Sequence, residues 1–299
     1  MSQAIIITGA SGWLGKCAVN LINTDERYRS TKLFLFSSSE KQIQIKGQKY
    51  EVEKFLDFNV NNFLDIKVVG IIHLSFLTRD KVSKVGFEEY VKINKSITSK
   101  FAEIVSSTKP NWITTVSSGA ANENSEDIEI NPYGNLKIQE EQTLSKLAKD
   151  LDLNYSIGRL WGAMGYDMPI NRNYAISDFI CQALINKKIN VNAKKLVTRR
   201  YVSDMEFIET CINSAEKGVN RTFDSGGDKI EVRDLARLVA SHFGEIDVHT
   251  ESAVEPADNY FPNNEEYLNL RAELKLPKPE TLKTLILNTI EGHKSQQLR

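Results

Sequence analysis

The chain has 299 residues, 41% of them hydrophobic and 26% charged, and its formal net charge is −1. A charge so near zero gives nucleic acid no electrostatic footing. No apolar run approaches the roughly 20 residues a membrane-spanning helix needs, and the N-terminus lacks the basic region of a signal peptide. The three cysteines (Cys17, Cys181, Cys211) form no CxxC, and the four histidines (His73, His242, His249, His293) show no ligand spacing. That usage argues against a disulfide framework and a metal site and fits a reducing cytoplasm. The expectation is a cytoplasmic protein with no nucleic-acid, membrane or metal partner.

In chain order, "AIIIT" reads as a strand and "GKCAVNLINTD" as a helix. "KLFLFS" is a second strand, "QKYEVEKFLDF" contains a third, and "VVGIIHLSF" is a fourth. An amphipathic stretch over 87–107 leads into the strand "NWITTVSS", then a polar loop, a helix over 132–150 and the strand "NYSIGRLW". Strands alternating with helices predict a parallel sheet covered on both faces. Beyond residue 160 the pattern loosens, with helices expected at 174–187, 204–217, "EVRDLARLVASHF" and "PETLKTLILNTI", and short strands at 188–203 and 221–224. The final "HKSQQLR" is polar and expected to fray.

Thr8-Gly9-Ala10-Ser11-Gly12-Trp13-Leu14-Gly15 places glycines at GxxGxxG spacing between the first strand and the first helix. The first glycine permits a tight exit from the strand, the second lets a pyrophosphate approach the backbone, and the third lets the helix pack on the sheet. Phosphate charge then meets free N–H groups at the positive end of a helix dipole. The context of strand, turn and helix is what a dinucleotide site requires, so Gly9, Ser11, Gly12, Trp13, Leu14 and Gly15 are cofactor candidates. The Trp13 side chain itself is read as packing. After the second strand an NAD site usually places a carboxylate against the adenosine ribose. Here stand Ser37-Ser38-Ser39, then Glu40 and Lys41. Hydroxyls and a lysine tolerate a 2′-phosphate, so Ser37, Ser38 and Lys41 favour NADP over NAD.

"NPYGNLKIQEEQTL" holds Tyr133 and Lys137 four apart, on one face of a helix that Asn131-Pro132 can start. An ammonium beside a phenol favours the phenolate, and such a tyrosine can exchange a proton with a substrate oxygen. A "VSS" strand end lies just upstream.

With these motifs in place, the sequence resembles an extended short-chain dehydrogenase/reductase of the NAD-dependent epimerase/dehydratase type, whose members act mainly on nucleotide sugars. The resemblance covers nearly the whole chain: "TGASGWLG" matches TGxxGxxG and "YGNLK" matches YxxxK. In order along the chain, "LDF", "IIHLSF", "VKINKS", "GRLWGAMG" and "TRRYVSDMEF" resemble further family segments. The resemblance implies a Rossmann-like doubly wound parallel sheet over 1–160 and a smaller C-terminal α/β substrate lobe over 161–299, packed on the first and partly interleaved with it. It places Asp57 and Phe58 near the adenine, Leu74 and Ser75 along the pyrophosphate and nicotinamide ribose, Asn94 as a structural asparagine, and Arg199 on a substrate diphosphate. Ser118, with Ser117 as runner-up, would hydrogen-bond the substrate oxygen. Tyr133 would move the proton and Lys137 would hold the cofactor ribose.

Departures lie on the substrate side. Ser118-Gly119-Ala120 stands where dehydratases carry Thr-Asp-Glu, which disfavours elimination of water. Ala121-Asn122-Glu123 replaces the family's VYG, and Trp161 or Gly162 replaces its acceptor asparagine. His73 reads as a core histidine, Arg159 and Arg172 as phosphate or ion-pair candidates, and the carboxylates of "NENSEDIEI" as a solvated loop. The expected function is an NAD(P)-dependent oxidoreductase or epimerase acting on a carbonyl or hydroxyl carbon of a nucleoside diphosphate sugar. The competing class is a non-catalytic dinucleotide-binding sensor or scaffold. Relatives of this kind imply a homodimer formed through the long helices at 87–107 and 132–150.

Overall fold

A computed structural model of the chain describes residues 2–122, 129–170, 173–244 and 246–297. The loop carboxylates at 123–128 and Arg172 lie outside the described residues. The first stretch runs β1 (Ser2–Thr8), α1 (Trp13–Thr24), β2 (Lys32–Ser37), β3 (Lys41–Ile45), β4 (Gln48–Lys54), β5 (Ile66–His73), α2 (Val82–Val85), α3 (Phe87–Thr108), β6 (Trp112–Ser118), α4 (Pro132–Asp150) and β7 (Asn154–Leu160). The remainder runs β8 (Ala163–Met164), α5 (Ala175–Asn186), β9 (Lys188–Val191), β10 (Lys195–Ser203), α6 (Asp204–Glu216), β11 (Arg221–Asp224), β12 (Asp228–Glu231), α7 (Val232–Ala240), β13 (Asp247–Thr250), β14 (Glu255–Tyr260), α8 (Glu265–Glu273) and α9 (Leu282–Gln297).

The chain divides into two compact units. The first holds the residues through Leu160 together with Ile208–Phe223, and the second holds Trp161–Phe207 and Asp224 onward. An eight-stranded sheet of order β11-β7-β6-β5-β1-β2-β4-β3 forms the first unit. From β4 to β7 the pairings are all parallel, and β3 joins β4 antiparallel. This is the doubly wound α/β fold that alternating elements predict. Its centre is β1, where Ala4, Ile5, Ile6 and Ile7 are fully buried, as a strand covered on both faces demands. Sequence order reverses between β1 and its neighbours β2 and β5, and ligands of such sheets bind at the carboxyl ends of the strands at that point. Residues 208–223 are tied in by the Ser156 hydroxyl donating to the Cys211 carbonyl (2.7 Å) and the Tyr155 amide donating to Asn220 Oδ1 (2.8 Å).

The hairpin partner β3 was absent from the strands expected. Its turn uses Lys46 (φ 47°) and Gly47 (φ 85°), a two-residue turn with both centres in the left-handed region. Lysine rarely adopts that region, so "KG" carries little turn signal, although Ile43 and Ile45 alternate inward.

The second unit contains the sheet β12-β10-β14, with β8 added to β10, and a separate β13-β9 pair. Of the final "HKSQQLR", the described residues through Gln297 continue helix α9. Its last turns are anchored: His293 is buried with Nε2 2.8 Å from Ser177 Oγ, and Gln296 Nε2 donates to the Met168 carbonyl at 2.9 Å.

Candidate active site

The glycine turn leaves β1 through Gly9 at φ 70°. A Cβ there would lie 2.5 Å from the Leu74 carbonyl oxygen, so only glycine lets the turn touch the end of β5. At Gly15 a Cβ would come within 2.7 Å of Ala10 Cα and closer still to the Gly9 carbonyl. This residue therefore sets how closely α1 approaches the turn. Gly12 differs: a Cβ meets only the Gly9 carbonyl, at 3.2 Å, leaving a cradle in front of the backbone that a methyl group would fill. It is also the N-cap of α1, and no side chain caps the helix there. The geometry therefore fits the pyrophosphate of a dinucleotide.

Two further strand ends frame the turn. The Ala10 amide donates to the Phe36 carbonyl at 3.0 Å, tying it to β2. Ser37 is buried and its hydroxyl donates to the Ser39 carbonyl at 2.7 Å, so it closes the local turn. Ser38 and Lys41 are exposed, Lys41 as the first residue of β3. Asp57 is exposed and ion-paired with Lys54 at 3.0 Å. The Phe58 side chain is core, stacked on Phe63 at 5.0 Å and edge-on to Phe36 at 5.5 Å, and its amide donates to the Phe55 carbonyl at 3.2 Å.

Beyond β5, the Leu74 and Ser75 amides donate to Thr8 Oγ1 at 3.2 and 3.3 Å. Asn94 of α3, fully buried, accepts from the Leu77 amide (2.8 Å) and donates to the Leu77 carbonyl (3.3 Å), so it acts by fixing this loop.

Helix α4 brings the remaining candidates. Asn131 caps it, accepting from the Gly134 amide at 3.0 Å while its Nδ2 donates to the Ala120 carbonyl at 3.2 Å. The cap thus joins the helix to the turn that follows Ser118. At the end of β6, Ser118 is half-buried and its Oγ accepts from the Ala120 amide at 3.2 Å, whereas Ser117 is buried. Tyr133 and Lys137 share one face, and Phe76 from the β5 loop touches both. Its ring lies edge-on to Tyr133 at 5.6 Å and 3.8 Å from Lys137 Nζ. Lys137 is 4% exposed and donates to the Val116 carbonyl at 2.9 Å and to Glu140 Oε2 at 2.7 Å.

Glu140 and Phe76 are residues that sequence reasoning missed. Glu140 is buried, with its second oxygen 3.3 Å from His73 Nε2. Burial alone would raise its pKa, but the Lys137 ammonium and His73 outweigh that and hold it below the usual carboxylate range. Burial pushes His73 below its ordinary value, against the opposing pull of Glu140. The neighbouring Glu141 pairs with Arg159 through both carboxylate oxygens (2.8 and 2.6 Å), and Arg159 also meets Asn122. Arg159 is thus in an ion pair.

In the second unit, Arg199 on β10 forms a two-pronged pair with Asp258 of β14 (3.2 and 3.1 Å) and lies 5.6 Å from the Tyr260 ring centre. Arg199, with Lys195 joining at 3.2 Å, holds the Asp258 carboxyl below its usual range. The Trp161 indole N–H donates to Asp224 Oδ1 at 2.7 Å, and its ring packs on Tyr260 at 4.6 Å. Among the described residues no cluster of His, Cys, Asp or Glu could hold a metal, and no helix is long and apolar enough to cross a membrane.

Comparison with known proteins agrees with this architecture. No curated protein sequence matches the chain. Among solved structures it is similar to a UDP-N-acetylglucosamine 4-epimerase from Methanobrevibacter ruminantium in complex with UDP-N-acetylmuramic acid (17% identity, 99% of this chain and 100% of that one, TM-score 0.79). It is similar also to a UDP-glucose 4-epimerase from Thermotoga maritima with UDP-glucose (16%, 98% and 99%, TM-score 0.75). A third likeness is to a dTDP-glucose 4,6-dehydratase from Bacillus anthracis in complex with NAD (14%, 99% and 98%, TM-score 0.75). Residues 5–224 match the model of the NAD dependent epimerase/dehydratase family, and the chain belongs to that family.

Proposed function

We propose that this chain transfers hydride at a hydroxyl or carbonyl carbon of a nucleoside diphosphate sugar, using Ser118, Tyr133 and Lys137. The observation that carries the reading is the grouping of Tyr133 and Lys137 on Phe76, at the carboxyl end of β5 where the glycine turn also touches. The bound nicotinamide supplies the hydride chemistry. The chain's own part is positional and acid–base. The backbone at Gly12 receives the pyrophosphate, and the N–H of Lys137 left over after Val116 and Glu140 holds a ribose hydroxyl. Tyr133 gives or takes the proton of the substrate oxygen, and the Ser118 hydroxyl fixes that oxygen in place.

The nucleotide-sugar class is supported by the UDP-sugars bound to the related structures. On this chain a diphosphate reaching Arg199 has to compete with Asp258. Dehydration is disfavoured because Gly119 and Ala120 stand where a catalytic acid and base are needed. The family description and the NAD bound to one related structure favour NAD. The reading toward NADP rests on exposed Ser38 and Lys41 with no carboxylate among residues 37–39. The scattered free cysteines fit a reducing cytoplasm.

Purification followed by identification of the bound nucleotide tests the type of reaction. Tightly held NAD indicates an epimerase, which returns the hydride it removes, and an empty site that takes up NADPH indicates a reductase. Tyr133→Phe is expected to abolish turnover of any nucleotide sugar accepted while keeping NADH binding. Unchanged turnover in that variant would remove Tyr133 from the mechanism.

A further inference from the structure

A buried acid on the lysine's own helix has no place in an ordinary core. Lys137, Glu140 and His73 are 4%, 1% and 0% exposed, and Thr8 is fully buried. Replacing a buried ion pair by apolar side chains is often neutral or stabilising, so stability alone does not call for Glu140. Its contacts run in one line from helix to turn: Lys137 Nζ to Glu140 at 2.7 Å, Glu140 to His73 Nε2 at 3.3 Å, His73 Nδ1 to Thr8 Oγ1 at 2.7 Å.

Hydrogen-bond accounting fixes the polarity of that line. Thr8 Oγ1 already accepts from the Ser75 amide and shares the Leu74 amide with its own backbone carbonyl, which directs both amide donors at its lone pairs. Its own proton is therefore assigned to His73 Nδ1 and the ring proton to Nε2, which lies 3.3 Å from Glu140 Oε1 as a charge contact without hydrogen-bond geometry. The His73 ring is held in plane by Phe101, stacked at 4.0 Å. Glu140 thus pairs in front with the ammonium through Oε2, while behind it Oε1 lies against the imidazole without a hydrogen bond. Lys137 has three N–H donors; Val116 and Glu140 take two, which leaves the third for a ribose hydroxyl beside the Phe76 ring, itself 3.8 Å from Nζ.

We propose that Glu140, backed by His73 and Thr8, is a positioning residue that holds the Lys137 ammonium in the single orientation able to grip the nicotinamide-side ribose of the cofactor. The inference rests on the reading of Lys137 as a ribose ligand given above. It adds that the grip is set by a carboxylate one helical turn on, linked to the residue that opens the glycine turn. Val116 and the Phe76 ring already confine the lysine; Glu140 adds the charge-assisted hydrogen bond that fixes the rotation of its ammonium.

The test compares NADH with ADP, which lacks the nicotinamide-side ribose, by fluorescence titration and by displacement. Glu140→Gln is expected to weaken NADH about tenfold, the worth of one charge-assisted hydrogen bond, and to leave ADP within about twofold. Lys137→Met should weaken NADH similarly, and Lys137→Met/Glu140→Gln should lose nothing further, because the acid acts only through the lysine. NADH binding unchanged in Glu140→Gln but weakened in Lys137→Met overturns the inference, as does equal weakening of NADH and ADP, which marks general loosening. NADH binding unchanged in Lys137→Met overturns the ribose reading itself, and the inference with it. Should the glutamine variant fail to fold, Glu140→Asp carries the test: it keeps the charge but withdraws it, and a selective, smaller loss for NADH is expected. No selective loss refutes the positioning role.

Discussion

Gly12 and Gly15 stand three residues apart in one motif, yet the structure assigns them opposite failure modes. In Gly15→Ala the new methyl carbon would lie 2.7 and 2.8 Å from the Ala10 Cα and carbonyl carbon, about 0.6 Å or more inside an ordinary carbon–carbon contact. The obstacle is backbone, so α1 must retreat, loosening the packing of Cys17, Ala18, Val19 and Ile22, all buried. The Gly9 carbonyl oxygen would be closer still, which puts the cost in the upper part of the overpacking range, about 2–3 kcal/mol. Alanine recovers about 1 kcal/mol of helix propensity, leaving a net loss of about 1–2 kcal/mol. For a chain of this size that is a fall in Tm of roughly 2–6 °C. Gly12→Ala meets only the Gly9 carbonyl at 3.2 Å, with φ −77° open to any residue. Its Tm should stay within about 2 °C of wild type, while NADH affinity drops about tenfold or more because the methyl fills the phosphate cradle. Differential scanning fluorimetry and NADH titration on both variants decide the matter. A Gly15→Ala protein as stable as wild type would refute the packing argument, and wild-type NADH affinity in Gly12→Ala would refute the cradle.

Two further outcomes follow from the same contacts. Asn131→Ala removes the N-cap of α4 and the bond to Ala120; a loss of about 1 kcal/mol is expected, read as a lower urea midpoint with an unchanged slope. His73 and His293 are both fully buried with pKa values below the ordinary histidine value because of burial. The unfolded chain therefore binds protons first as pH drops. Stability is complete above about pH 6.5 and falls below it by roughly 1.4 kcal/mol per histidine per pH unit until the folded-state pKa is reached. Urea unfolding at pH 7.5, 6.5 and 5.5 checks this, and a flat profile would contradict burial of neutral imidazoles.

What the sequence determined by itself is what short-range geometry determines. An apolar run, three glycines at fixed spacing and a helix with Asn-Pro at its start are local patterns, and each produced the expected element: β1, the turn into α1, and α4 from Pro132 to Asp150. Tyr133 and Lys137 four apart fall on one helix face by periodicity alone. The β3 hairpin escaped because its turn asks a lysine to adopt a left-handed backbone. Only tertiary structure decided which side chains occupy one another. Thr8 meets His73 across 65 residues, Arg159 reaches back to Glu141, and Asp258 engages Arg199 from a neighbouring strand. Glu140 shows the difference best: in sequence it is one of two adjacent glutamates on the helix of Tyr133 and Lys137, with nothing to mark it from its neighbour. Parallel pairing of β5 and β1 sets a histidine and a threonine side by side, and only then does that glutamate sit between a lysine and an imidazole, where burial makes each contact count.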